Sequence, residues 1–277
     1  MLQKYEKISN FIIKTKKERI FVVKMEKKTI KNLLDGHSPI IMGILNVTPD
    51  SFYAASRNSS VEGVVERARQ MVAEGAVILD VGACSTRPQS TPVDEMEERR
   101  RLFPALEGIH AALPDVPLSV DTFRPSVARE CVRRFGPFLI INDVSGGEAA
   151  LPGVPYILTC PTADPKAFFD EQLPLLAQKG VTDVILDPGF GFGKTLEDNY
   201  RILSHLSGLR RFGLPLLVGV SRKSMIYKPL GITPDEALNG TSVLHTIALQ
   251  QGASILRVHD VREAAQCVRL LDMLNKT

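Results

Sequence analysis

The stretch "DVILDPGFGFGKT" (183–195) admits two incompatible readings, and the choice between them decides the fold. Its second half comes within one residue of the phosphate-cradling pattern G-x-x-x-x-G-K-[ST], which would need glycine where Pro188 stands. As a nucleotide loop it would place the chain in an open, doubly wound sheet. As a strand closed by a glycine-rich turn it would be one unit of a longer series. Pro188 removes both the glycine and a backbone N–H of the kind such a loop aims at phosphate. The stretch therefore reads as a strand that carries Asp187 outward, followed by a turn that brings Phe190 and Phe192 toward the strand end, where one of them is a candidate stacking wall.

Working outward, the same kind of unit recurs. Apolar runs stand at 40–47 (IIMGILNV), 77–83 (VILDVGA), 118–122 (LSVDT), 139–144 (LIINDV), 155–160 (PYILTC), 183–189, 216–221 (LLVGVS) and 254–260 (SILRVHD). Between most of them lie amphipathic segments; in one, Val61, Val64, Val65, Ala68, Met71 and Val72 form an apolar stripe at helical spacing. Strand then helix, eight times over, with strands apolar on both faces, predicts a closed parallel (β/α)8 TIM barrel. One unit is irregular. Only Ser145 to Val154, with three glycines and a proline, separate the fourth and fifth runs, so a shortened connection with a turn or two of helix at most is expected there.

Composition agrees with a single large core. The chain has 277 residues, 44% hydrophobic, with a net charge of +3. Residues 1–36 carry ten Lys or Arg against four acids, so this segment is +6 and the remainder −3. The expected organisation is a basic N-terminal extension, 1–36, partly disordered, and one barrel domain, 37–277. No run approaches the roughly 20 apolar residues of a membrane span, and the extension lacks a signal-peptide core. A cytoplasmic protein with no membrane and no nucleic-acid partner is expected. The four cysteines, Cys84, Cys131, Cys160 and Cys267, are scattered singly, which suits reduced thiols rather than a metal or redox pair.

In a parallel barrel the chemistry collects where strands end, and here those ends are polar. Run one leads into Asn46, Thr48 and Asp50; run two into Ser85, Thr86 and Arg87; runs three and four end at Asp121, Asn142 and Asp143. Run six ends at Asp187, run seven at Ser221, Arg222, Lys223 and Ser224, and run eight at Arg257, His259 and Asp260. Run five, ending in Thr159 and Cys160, is chemically quiet. One such residue is ordinarily a helix cap, but seven ends with charged or amide groups at one mouth would repel and desolvate one another without a ligand. Arg87, Arg257, His259 and Lys223 suit a multiply charged oxyanion such as pyrophosphate, with Asn46 on a metal or phosphate oxygen. Asp121, Asn142 and Asp187 suit a heterocycle with amidine-like N–H groups. The expected ligand is an aminated heterocycle joined to phosphate.

Together "MGILNVTPDSF" (42–52), "DVGACSTRP" (80–88), "SVDT" (119–122), "INDVSGG" (141–147), "LDPGFGFGKT" (186–195), "GVSRKS" (219–224) and "RVHDV" (257–261) resemble the dihydropteroate synthases, the folate-pathway enzymes that sulfonamides inhibit. The resemblance implies joining of 6-hydroxymethyl-7,8-dihydropterin pyrophosphate to p-aminobenzoate by a magnesium-dependent homodimer. It implies that Asp121, Asn142, Asp187 and Lys223 hold the pterin, and that Thr86, Arg87, Arg257 and His259 meet the pyrophosphate. It also puts Asn46 on Mg2+ and Phe52, Pro88, Phe192 and Ser224 around p-aminobenzoate. Lys223, Asp187, Arg257 and His259 are then the catalytic candidates. The family is thought to ionise the C–O bond before the arylamine attacks, which needs no strong base. Two departures stand out: "YILTCPTADP" replaces a Met-His-Met type sequence at run five, whose wall Leu158 and Cys160 would fill, and "FYAASRN" replaces a Gly-rich first loop. A pterin-dependent methyltransferase of the same fold and a non-catalytic pterin binder are the competing readings.

Overall fold

In the computed structural model the described residues are 33–34, 38–47, 61–84, 93–136 and 139–276. Eight strands lie in them: β1 Ile40–Asn46, β2 Ala76–Gly82, β3 Leu118–Asp121, β4 Ile140–Asp143, β5 Tyr156–Thr159, β6 Val184–Asp187, β7 Leu217–Val218 and β8 Ile255–Val258. All pair in parallel, in the order β6-β5-β4-β3-β2-β1-β8-β7. A bridge between Leu186 and Leu216 joins the two outer strands, so the sheet closes on itself as the strand–helix alternation predicts. Helices follow: α1 Val61–Glu74, α2 Glu95–Ala112, α3 Pro125–Phe135, α4 Pro165–Gln178, α5 Leu196–Ser204, α6 Ser224–Leu230, α7 Leu238–Gln250 and α8 Val261–Leu274. None is long and apolar enough to cross a membrane.

The two-residue period of a strand sorts the core into two clusters. Ile40, Met42, Ile78, Ile140, Ile157, Ile185, Leu217 and Ile255 make an inner cluster, with Leu33 and Leu34 packed against it. Their neighbours along the chain, among them Ile41, Leu79, Ile141, Leu158, Leu186, Val218 and Leu256, belong to the larger outer cluster beneath the helices. From α1, Val64, Ala68 and Met71 are buried in that outer layer, with Val65 and Val72 partly buried, as their spacing demands.

Between β4 and β5 the connection contains no helix, and Asp143 organises it. Its carboxylate accepts from the Ser145 N–H at 2.7 Å, the Ala149 N–H at 2.9 Å and the Tyr156 hydroxyl at 2.7 Å. A fully buried carboxylate with three donors replaces the backbone pairing that a crossover helix would have provided.

Candidate active site at the C-terminal end of the barrel

Counting two residues onward from the inner cluster names the residues that line the barrel above it. From Ile78 the step reaches Asp80; from Ile140, Asn142; from Ile157, Thr159; from Ile185, Asp187; and from Ile255, Arg257. On β3 the same position is Asp121, above the buried Ser119.

Arg257 is the hub of this layer. Its Nε donates to Asp80 at 2.6 Å and its Nη2 to Asp121 at 2.8 Å. The Asn142 side-chain amide donates to both Asp80 oxygens, at 3.1 and 3.3 Å. Asp187 accepts from the Gly189 N–H at 2.8 Å and from the Thr159 hydroxyl at 3.4 Å. Four side chains expected at one mouth, Asp121, Asn142, Asp187 and Arg257, therefore line one barrel, the Asp121–Arg257–Asp80–Asn142 chain being continuous.

Electrostatics follows from crowding these groups away from water. Burial pushes the Asp121 carboxyl up to about 7; Arg257 opposes the shift, while Asp80, Glu98 and Asp143 reinforce it. Burial pulls the half-buried Lys223 down to about 8, against the attraction of Asp187 and with the help of Arg257. Desolvation works against the Arg257 cation too, but Asp80 and Asp121 more than compensate and hold it charged.

Lys223 donates to the Phe190 carbonyl and lies over the Phe192 ring, 4.7 Å from its centroid. Only one of the two turn phenylalanines reaches the site through its ring. Phe190 is fully buried in the outer core and contributes its carbonyl, whereas Phe192 is half-buried at the turn. The glycines that permit this have φ values of 70° (Gly189), 83° (Gly191) and 58° (Gly193), a left-handed region closed to most side chains. His259 faces Ser221, whose hydroxyl oxygen lies 3.2 Å from its backbone N and 3.1 Å from Nδ1.

Residues 42–158 and 161–259 match the family model described as "Pterin binding enzyme". Dihydropteroate synthase from Escherichia coli K12 is 40% identical over 264 residues, covering 86% of this chain and 93% of that protein. The Bacillus subtilis dihydropteroate synthase is 37% identical, covering 86% and 89%. The chain belongs to the dihydropteroate synthase family. A structure of the Xanthomonas albilineans family member with 4-aminobenzoic acid superposes with a TM-score of 0.80 at 36% identity, covering 88% of this chain and 95% of that one. Another, of the same enzyme in complex with 7,8-dihydropteroate, has a TM-score of 0.77 at 35% identity over the same shares.

For a dihydropteroate synthase family chain, three site features escaped the reading of run ends. Asp80 stands mid-run in "VILDVGA", and a carboxylate inside an apolar strand was the available signal. Thr159 makes run five less quiet than expected, because it touches Asp187. Leu158 and Cys160 do not fill that wall: both belong to the outer cluster, and the strand-five positions turned inward are Ile157 and Thr159. Conversely, some polar run-end residues serve structure. Asp143 holds the β4–β5 connection, and Asp260 takes Arg222 in a two-pronged pair at 2.8 and 2.9 Å. Asn46 ends β1, and Ser224 opens α6. Thr48, Asp50, Phe52, Ser85, Thr86, Arg87 and Pro88 lie outside the described residues.

Proposed function

We propose that this chain condenses 6-hydroxymethyl-7,8-dihydropterin pyrophosphate with p-aminobenzoate, giving 7,8-dihydropteroate and pyrophosphate. The observation that carries the reading is the carboxylate–amide–guanidinium layer of Asp80, Asp121, Asn142 and Arg257, with Asp187 lining the same barrel. Asp121, Asn142 and Asp187, with Lys223, hold the pterin. A carboxylate facing two ring N–H groups gains charge-assisted bonds of about 1.5–3 kcal/mol each. Arg257 and His259, with Thr86 and Arg87, receive the pyrophosphate. Phe192 and Ser224, with Phe52 and Pro88, shape the p-aminobenzoate pocket.

Chemically, the bond from the pterin methylene to oxygen breaks with its electron pair on the departing pyrophosphate. The arylamine lone pair forms the new C–N bond, and the nitrogen then loses a proton to solvent. Positive charge grows on the pterin side, where Asp121 and Asp187 stand, and negative charge grows on the leaving group, which His259 and the Arg257 guanidinium beside Asp121 receive. Because the amine attacks in its neutral form, no general base of raised strength is required.

Magnesium belongs to the same proposal. Among the described residues no group of three or more His, Cys, Asp or Glu could hold a metal ion. Asn46 at the end of β1 would supply a single amide oxygen, which fits an ion bound chiefly by diphosphate oxygens, as Mg2+ commonly is. Such an ion, when bound, neutralises charge on the leaving pyrophosphate. A homodimer joined through helices remote from the mouth and a cytoplasmic location complete the reading.

The test is direct. Purified protein given magnesium, pterin pyrophosphate and p-aminobenzoate should release pyrophosphate and form dihydropteroate in equal amounts. Silence where the Escherichia coli relative turns over would overturn the proposal in favour of a pterin binder. Asp187→Ala should weaken pterin pyrophosphate binding by about 3 kcal/mol, the scale for deleting one partner of a buried charged contact; unchanged affinity by calorimetry would remove Asp187 from the role.

A further inference from the structure

The turn "GFGFGK" ends in a lysine that the proposed reaction leaves unused. Lys194 is half-buried, and its Nζ donates to three backbone carbonyls: Cys160 at 2.8 Å, Gly189 at 2.8 Å and Phe192 at 3.1 Å. The first lies just beyond β5 and the other two are in the turn after β6. An ammonium has three donors and no acceptor, so this geometry accounts for all three of its protons.

The two segments it joins are pressed together. A Cβ on Gly189 would collide with the Cys160 carbonyl, and one on Gly193 would stand 3.0 Å from the Pro161 carbonyl. Carbonyl oxygens brought this close, with their partial negative charges converging, need a cation or donors between them. The same turn is fastened from its other side by Asn199 of α5, whose side-chain oxygen accepts from the Gly191 N–H at 2.7 Å.

What the turn carries is the receiver for Lys223. The Phe190 carbonyl accepts from Lys223 and the Phe192 ring stacks beneath it, while the Phe192 N–H donates to the Gly189 carbonyl at 3.1 Å. Two of the three carbonyls held by Lys194 are thus Phe192's own and that of Gly189, which also takes the Phe192 N–H.

We infer that Lys194 is a positioning residue: its ammonium acts as an internal cation that clasps the β5 and β6 ends together and so sets Phe192, and through it the p-aminobenzoate pocket. The lysine that mimics a nucleotide loop in sequence serves backbone carbonyls, not phosphate. This inference rests on the reaction proposed above, which assigns Phe192 to that pocket.

Lys194→Ala removes the clasp and leaves space for a small alkylammonium. Its KM for p-aminobenzoate should rise about tenfold or more, and the KM for pterin pyrophosphate should rise less, since Gly189 and Phe190 of the same turn also hold Asp187 and Lys223. n-Propylammonium should restore the first KM, and tetramethylammonium at equal ionic strength, having no N–H, should not. Equal rises in both KM values, no rise in either, or rescue that is absent or identical with the two cations would overturn the inference. The parent protein is assayed in parallel: an inactive parent would sink the reaction itself, whereas an active parent with an unrescued variant sinks only the clasp. Should Lys194→Ala fail to fold, reductive methylation of the full-length parent gives the answer by mass spectrometry. Lys194 should be modified far more slowly than the exposed Lys166 and Lys179, and equal rates would overturn the inference.

Discussion

Arg257 is held at Nε by Asp80 and at Nη2 by Asp121, so one guanidinium sets the position of two carboxylates and, through Asp80, of Asn142. Asp80 is fully buried. Asp80→Ala should therefore destabilise the protein by about 3 kcal/mol or more, the scale for breaking a buried pair, and lower kcat/KM for the pterin substrate. Denaturant unfolding with an unchanged midpoint would show that Asp121 alone suffices for Arg257. The pH dependence is expected from two groups, each shifted by its burial and its charged neighbours. The Asp121 carboxyl, raised by burial to about 7, gains its charge as pH climbs through that value. The Lys223 ammonium, lowered by burial to about 8, loses its charge as pH climbs further. If both charged forms bind the pterin, kcat/KM should trace a narrow bell between these values. Asp121→Asn should flatten the acid limb and leave the alkaline limb in place; a profile flat from neutrality to weakly alkaline pH would exclude both groups.

At the scale of elements, the β4–β5 connection shows how a barrel unit survives without its helix. Asp143 at the end of β4 gathers two backbone N–H groups of the connection and the hydroxyl of Tyr156, the first residue of β5. Burial pushes the Tyr156 hydroxyl pKa upward, with Asp143 adding to the shift, so the hydroxyl keeps its proton and donates it. Tyr156→Phe should cost about 1.5–3 kcal/mol, the range for a hydrogen bond to a charged group. Urea unfolding would reveal the loss as a lower midpoint at unchanged slope, and an unaltered midpoint would mean that the N–H groups alone organise the connection. Proximity of the two runs made a short connection legible in the sequence. Its organiser was not, because Asp143 adjoins Asn142 and the run end alone does not say which of the two faces the ligand.

Across the whole molecule, the barrel is stitched unevenly. β1 and β2 share six paired positions, whereas β6 and β7 meet through the Leu186–Leu216 bridge and the Leu186 N–H to Pro215 carbonyl bond at 2.9 Å. Local opening follows the weakest hydrogen-bonded seam. Amide exchange at Leu186 should thus exceed that at Leu79 and Val81, and faster exchange in β2 would contradict this view of closure. This seam lies between the strands that lead to Asp187 and Lys223, so opening there would separate the two groups that flank the turn.

The sequence alone determined the number of units, their parallel order and the chemical type of the site, because strand periodicity and residue identity are local properties written along the chain. It also excluded the nucleotide loop at Pro188, whose ring is a local fact. Only the tertiary structure decided which polar residues at the strand ends meet one another. Adjacent residues of a strand point to opposite faces, so Asn142 turns into the barrel while Asp143 turns to the outer shell, and the pairing of both β2 and β8 with β1 brings Asp80 within reach of Arg257 across that strand. That meeting depends on how the strands are staggered around the barrel, a quantity fixed by packing of the whole core rather than by any one segment.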